Sequence, residues 1–152
     1  MRNIKFRAYI KEDYNEELVG KMLDVSSIHL KTGKVIIGYS LRNSNYGNKS
    51  FLYKNIELMQ YTGLHDKNGK EIYEGDIVKI NAHSYDFGFE KDRIGEIRFI
   101  EGCFGFYKQL SEKEYLFNEL STEFGYGELE YYEVIGNIYE NSNLLKGADN
   151  IE

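Results

Sequence analysis

Leu58-Met59-Gln60-Tyr61-Thr62-Gly63-Leu64-His65-Asp66-Lys67-Asn68-Gly69-Lys70-Glu71-Ile72-Tyr73-Glu74-Gly75-Asp76-Ile77-Val78 is the stretch whose reading sets the fold. Two strand-like runs, Leu58 to Leu64 and Lys70 to Ile80, are separated by His65-Asp66-Lys67-Asn68-Gly69. Asn-Gly supplies the residue types that most readily adopt positive φ, so the spacer predicts a β-hairpin. Past the turn, Glu74-Gly75-Asp76 breaks the apolar run before Ile77-Val78-Lys79-Ile80 resumes it. A glycine inside a strand marks a bulge or a sharp bend, and small barrels need such bends.

The pattern continues on both sides. Toward the N-terminus, Ile4-Lys5-Phe6-Arg7-Ala8-Tyr9 alternates apolar and basic positions, which predicts a strand with Ile4, Phe6 and Ala8 on the core side and Lys5 and Arg7 in water. The charged run Lys11 to Glu17 reads as an exposed loop, followed by the short apolar segment Met22 to Val25. Ser27 to Leu30 and Val35 to Tyr39 flank Lys31-Thr32-Gly33-Lys34 as a second hairpin, and Arg42 to Ser50 reads as a long loop or a boundary. Toward the C-terminus, Ile94 to Ile100 and Gly102 to Phe106 form another strand pair. Ser111-Glu112-Lys113-Glu114 fits a capping box, and Phe117, Leu120 and Phe124 follow at helical spacing, predicting one short helix around 112–121 that ends at Gly125 or Gly127. Tyr131 to Tyr139 is the last strand, and Asn141 to Lys146 a final turn before a polar tail.

Composition agrees with this β-rich reading. The 152 residues include 15 Gly, 14 Tyr and 9 Phe but neither Pro nor Trp, a mixture that favours strands joined by tight turns. Hydrophobic residues at 41% and charged residues at 29% are close to the globular average and exclude wholesale disorder, collagen and coiled coil. No run approaches about eighteen consecutive apolar residues, and the opening Met1 to Arg7 lacks the apolar core of a secretory signal, so the reading expects a soluble protein kept inside its cell, with no membrane partner. The net charge of −6 is uneven: residues 1–55 carry ten basic and five acidic groups, 56–108 seven and ten, and 109–152 two and ten. The thirds therefore stand at +5, −3 and −8, a handicap for duplex binding, which draws on Lys and Arg displacing phosphate counterions. The opposite ends can instead meet each other, within one chain or between copies.

Candidate chemistry is sparse. Asp66-Lys67-Asn68-Gly69-Lys70 opens like a calcium loop, but Glu71 and Ile77 stand where such a loop needs glycine and glutamate, so it reads as a plain turn. His29, His65 and His83 show no ligand spacing, and with the single Cys103 they make no structural zinc site. Cys103 shows neither a base nor an oxyanion donor beside it and reads as a structural thiol. Glu71, Glu74 and Asp76 read as solvated turn carboxylates rather than a general acid/base pair, and Gly125-Tyr126-Gly127 is too short for a phosphate loop. The tyrosines carry more weight, because a flat ring with a wet hydroxyl can anchor a protein interface or stack on an unpaired base.

The 58–78 block, together with Ile4-Lys5-Phe6-Arg7-Ala8-Tyr9 and Val134-Ile135-Gly136-Asn137-Ile138-Tyr139-Glu140-Asn141, resembles the YopX family of phage and prophage proteins. The three blocks, in this order and spacing, cover most of the chain. Tyr9 stands where the family commonly has tryptophan, and Ser142 where it often has proline, which bears on the tightness of the C-terminal turn. The resemblance implies a small SH3-like β-barrel in the later part of the chain, an N-terminal β-rich lobe before it, and residence in a bacterial cytoplasm. It brings no established activity, catalytic residue or cofactor.

The expectation is thus a mainly β protein with one short helix: an N-terminal lobe over 1–55, an SH3-like barrel over 56–146 and a polar tail over 147–152. Its expected role is that of a non-enzymatic accessory protein without metal or cofactor, binding a host or phage protein and assembling with copies of itself through the +5 and −8 ends. Lys5, Arg7, Tyr61, Tyr73 and Tyr131 are the candidate partner-binding residues. The alternative is nucleic-acid binding through Lys5, Arg7, Lys11 and tyrosines on the barrel.

Overall fold

The computed structural model describes residues 3–14, 16–40, 46–80, 92–109, 115–120, 128–129 and 131–146. The chain is mainly β, with its strands in two sheets, antiparallel apart from one two-residue parallel pairing, and one short α-helix. It divides into two units, Met1–Gln60 and Tyr61–Glu152. No helix among the described residues is long and apolar enough to cross a membrane.

The first unit contains β1 (Phe6–Ile10), β2 (Met22–His29), β3 (Lys34–Ser40), β4 (Tyr46–Leu52), a 3₁₀ turn at Tyr53–Asn55, and the start of β5 (Ile56–Asp66). Its strands lie in the order β5-β1-β2-β3-β4. Alternation puts matched apolar rows on one face: Ala8 lies opposite both Leu23 and Leu58, and Val35 opposite both Ile28 and Phe51. These rows build a core of Ala8, Ile10, Leu18, Val35, Ile37, Phe51 and Ile56, in which each fully buried aliphatic chain contributes about 1.5–3 kcal/mol.

The second unit contains the rest of β5, β6 (Glu71–Tyr73), β7 (Asp76–Ile80), β8 (Arg93–Ile100), β9 (Cys103–Gln109), β10 (Tyr115–Glu119), β11 (Glu128–Leu129), β12 (Tyr132–Asn137) and α1 (Asn143–Lys146). One sheet runs β10-β9-β8-β7-β12, and β6 and β11 flank β5. No ladder joins β10 to β12 among the described residues. Leu64, Ile72, Val78, Ile80, Ile97, Phe106, Tyr132 and Val134 form its core. The chain bends at Glu74-Gly75, between β6 and β7, where Gly75 N–H donates to the Ile97 carbonyl at 2.8 Å and its own carbonyl accepts from Ile138 N–H at 2.9 Å.

Both hairpins read from the glycine turns form, as do the strands on either side of Glu101-Gly102, whose two positive φ values (51° and 92°) close a two-residue connection. Five expectations change. The helix expected around 112–121 is not found: Tyr115–Glu119 is strand β10, paired from Tyr115↔Gln109 to Glu119↔Gly105. The exposed side of β9 offers a full ladder to Tyr-Leu-Phe, residues that suit a strand at least as well as a helix, and that pairing outweighs the helical spacing. The helix that exists is α1, where the sequence read a turn. Tyr46–Ser50, read as loop or boundary, lies in β4, held by seven register pairs to β3. The 11–17 run is not uniformly exposed, because Asp13 is buried in an ion pair with Lys49. Ile4 lies outside β1 and is exposed rather than core-facing. His83, Ser111-Glu112-Lys113-Glu114, Phe124, Gly125-Tyr126-Gly127, Arg42 to Asn45 and the 147–152 tail lie outside the described residues.

Candidate functional site

Asp66 organises the hairpin that opens the second unit. Its Oδ1 accepts the backbone N–H groups of Asn68 (2.8 Å) and Lys70 (2.9 Å), closing the turn around Asn68-Gly69. Its Oδ2 reaches across to β12 and accepts the Val134 N–H at 2.9 Å, beside a 3.0 Å bond from Lys67 N–H to the Tyr132 carbonyl. The carboxylate therefore satisfies an outward amide of a strand at the end of its sheet, a group otherwise orphaned in a buried place. Burial works against the charge, but the amides of Val134, Lys70 and Asn68, with the positive charge of Lys70, outweigh it and hold the Asp66 pKa below the usual carboxylate value.

Above this turn, β5 is bulged. Tyr61 pairs with Tyr73 and His65 with Glu71, so four residue steps on β5 match two on β6. Gly63 makes the excursion at φ 95°, and Thr62 fixes it by donating its hydroxyl to the Ile72 carbonyl (2.8 Å) and accepting the Leu64 N–H (3.2 Å). In an extended strand, residues four apart are separated by about 13 Å, yet the Tyr61 and His65 ring centroids are 5.9 Å apart. Tyr61, His65, Glu71 and Tyr73 are thereby drawn into one cluster. The Tyr61 and Tyr73 rings tilt together at 5.4 Å, the Tyr61 hydroxyl lies 3.4 Å from the His65 ring nitrogens, and the Tyr73 hydroxyl donates to Glu71 Oε2 at 2.8 Å. The phenols serve as internal hydrogen-bonding groups, and the half-buried imidazole and carboxylate form the outer part of the cluster.

The five residues named from the sequence are distributed unevenly. Tyr61 and Tyr73 come together, but they are only 3% and 7% exposed, so their faces are packed rather than displayed. Tyr131, just ahead of β12, is 36% exposed. Lys5 and Arg7 belong to the first unit and are half-buried; an Arg7 guanidinium nitrogen lies 3.8 Å from the Met59 sulfur. Asp76, read as a solvated turn carboxylate, is buried and accepts the Tyr73 N–H at 2.8 Å, because the bend at Gly75 turns it inward. Cys103 is half-buried with its Sγ 3.4 Å from the Ile100 carbonyl, and His29 and His65 fall in different units. No group of three or more His, Cys, Asp or Glu side chains among the described residues is placed to hold a metal.

Sequence reasoning missed the end of the first unit, where the β2–β3 turn lies beside the 3₁₀ turn. Thr32 N–H donates to the His29 carbonyl (3.1 Å), Gly33 adopts φ 63°, and Tyr53 N–H donates to the Gly33 carbonyl (3.1 Å). The Tyr53 ring lies alongside Gly33, and Leu52 is the register partner of Lys34. At this end Leu30 is 84%, Leu52 43% and Tyr53 38% exposed, with Lys31, Lys34 and Lys54 exposed around them. Alternation with Ile28 reads Leu30 as a core-side strand residue, whereas it lies in the β2–β3 turn.

The structure is similar to that of protein EF1440 from Enterococcus faecalis, with TM-score 0.57 and 23% identity over 95% of this chain and 99% of that one. It is equally similar to the crystal structure of protein YopX from Bacillus subtilis, with TM-score 0.56, 23% identity and the same coverage. At this identity the likeness concerns the fold. No functionally curated protein matches the chain. The YopX protein family model matches residues 5–146, nearly the whole length, and the chain therefore belongs to the YopX family.

Proposed function

We propose that this chain is a non-enzymatic accessory protein of phage or prophage origin that acts in the bacterial cytoplasm by binding another protein, host or phage. We read its second unit as a strongly bent, SH3-like barrel, a reading supported by the bend at Gly75 and the register shift between Val134 and Gly136. The observation that carries the binding role is the apolar end of the first unit: Leu30 in the β2–β3 turn is 84% exposed, with Leu52 at the end of β4 and Tyr53 in the 3₁₀ turn partly exposed beside it. Carboxylates around the bend are engaged within the fold: Asp66 and Asp76 accept backbone amides, and Glu71 accepts from the Tyr73 hydroxyl. For nucleic-acid binding, the rings of Tyr61 and Tyr73 are packed away from any base, and the geometry supports protein binding better.

The test is affinity capture with the tagged full chain from lysate of its bacterial host, beside the Leu30→Asp/Tyr53→Ser variant. The expected result is a stoichiometric protein partner retained by the wild type and lost by the variant. A chain that neither retains a partner nor associates with itself overturns the proposal.

A further inference from the structure

We infer that the Leu30–Leu52–Tyr53 end of the first unit seats the acidic C-terminal third of a second copy of this chain. This deepens the protein-binding reading above and rests on it. Lys31, Lys34 and Lys54 surround the apolar side chains, are exposed, and have no ion pair among the described residues. Lys11, Lys49, Lys67 and Lys79, by contrast, each pair with a carboxylate: Glu57, Asp13, Glu133 and Asp92. Next to Lys54, Glu57 holds Lys11 and Glu12 accepts from the Asn55 amide. The end is thus a cationic rim around an apolar centre, the arrangement of a protein interface in which aromatic and aliphatic anchors carry the energy and rim charges guide approach.

The complementary chemistry is in the same chain. Residues 109–152 carry ten acidic groups against two basic ones, interleaved with Tyr115, Phe117, Phe124, Tyr126 and Tyr131. Each copy carries both halves of the contact, so copies of this one chain suffice to form it. An anionic membrane surface or a nucleic acid would also meet three lysines, but neither accounts for the matching acidic, aromatic segment in the chain.

The experiment is sedimentation velocity on the full chain at about 10–100 µM, where a contact of modest affinity registers. It is run in about 50 mM and about 500 mM salt, which bracket weak and strong screening. The wild type is expected to self-associate at low salt and to weaken at least about tenfold at high salt. Lys31→Glu/Lys34→Glu/Lys54→Glu is expected to be monomeric with an unchanged circular dichroism spectrum, since all three side chains are exposed. Glu123→Lys/Glu130→Lys is expected to be weakened alone, and mixing it with the triple variant restores association between the two. A monomeric wild type at low salt, or association indifferent to the triple reversal, overturns the inference. A monomer that binds phosphatidylserine vesicles or a DNA duplex through these lysines also overturns it. A monomer that still retains a stoichiometric host protein overturns this inference alone, and one that retains nothing overturns the protein-binding proposal as well.

Discussion

Replacing Asp66 with asparagine separates the two jobs of one carboxylate. The side chain keeps its shape and one oxygen, and that oxygen can stay with the turn amides of Asn68 and Lys70. The amide nitrogen then faces the Val134 N–H, donor against donor, where the wild type has a 2.9 Å bond in a buried place. A hydrogen bond to a charged group contributes about 1.5–3 kcal/mol, and an orphaned buried donor costs a comparable amount, so Asp66→Asn is expected to lose about 2–3 kcal/mol. Asp66→Ala removes all three bonds and is expected to lose about 4 kcal/mol, less than three times the single value because water reaches the two turn amides. Either loss is a large part of the about 5–15 kcal/mol of a typical domain. The assay is equilibrium urea unfolding followed by tyrosine emission, which no tryptophan obscures. The pH dependence supplies a second arm. The folded pKa of Asp66 lies below its unfolded value, so its stabilisation is complete above the unfolded pKa, about 3.9, and is lost as pH falls through the lower folded value. The gap between wild type and Asp66→Asn should therefore narrow as pH falls below about 4. A variant within about 0.5 kcal/mol of wild type at neutral pH, or a gap that stays constant into acid, would refute the reasoning.

Two glycines separate steric from conformational cost. A Cβ on Gly95 would lie 2.5 Å from the Tyr107 carbonyl oxygen and 2.6 Å from the Phe106 ring, so Gly95→Ala is expected to cost about 3 kcal/mol in urea unfolding. Gly63 has open space around it but sits at φ 95°, so Gly63→Ala is expected to cost about 1–2 kcal/mol and to weaken the Tyr61–His65 ring contact, read as lost NOEs between the two side chains. Burial pushes the Tyr132 phenol well above its ordinary value, so its stabilising neutral form persists while exposed tyrosines ionise, and stability falls as pH rises past about 10; the late phase of the phenolate absorbance, coincident with unfolding, should shrink in Tyr132→Phe. Lys67 and Glu133 pair at 2.6 Å with both side chains about a third exposed, and Lys67→Ala is expected to change stability by less than about 0.5 kcal/mol.

The parts of the fold legible in the sequence were those in which a local signal and the tertiary outcome agree. Gly33, Gly69 and Gly102 mark turns because the backbone there needs left-handed φ, and glycine supplies it cheaply. The 115–119 segment was illegible because Tyr, Leu and Phe fit either a helix or a strand, and the deciding factor was β9, whose pairing capacity no window of local sequence contains. The cationic rim at Lys31, Lys34 and Lys54 was invisible for a related reason, since it needs β3 and the 3₁₀ turn to end side by side.

The same limit governed the tyrosines. Alternation along β5 would bury one set of residues and expose the other, but Tyr61, Thr62, Leu64 and Asp66 are all buried. From Thr62 onward the burial alternates strictly, with Gly63 and His65 on the open side, but the bulge at Gly63 shifts the phase so that Tyr61 and Thr62 are both buried. An aromatic residue on such a strand carries no information about whether its ring faces a partner. Leu30, Leu52 and Tyr53, by contrast, lie in or beside turns, where the strand period no longer applies. A tyrosine within this strand is therefore no guide to a binding surface, and the docking end proposed above rests instead on residues at a strand end and in turns.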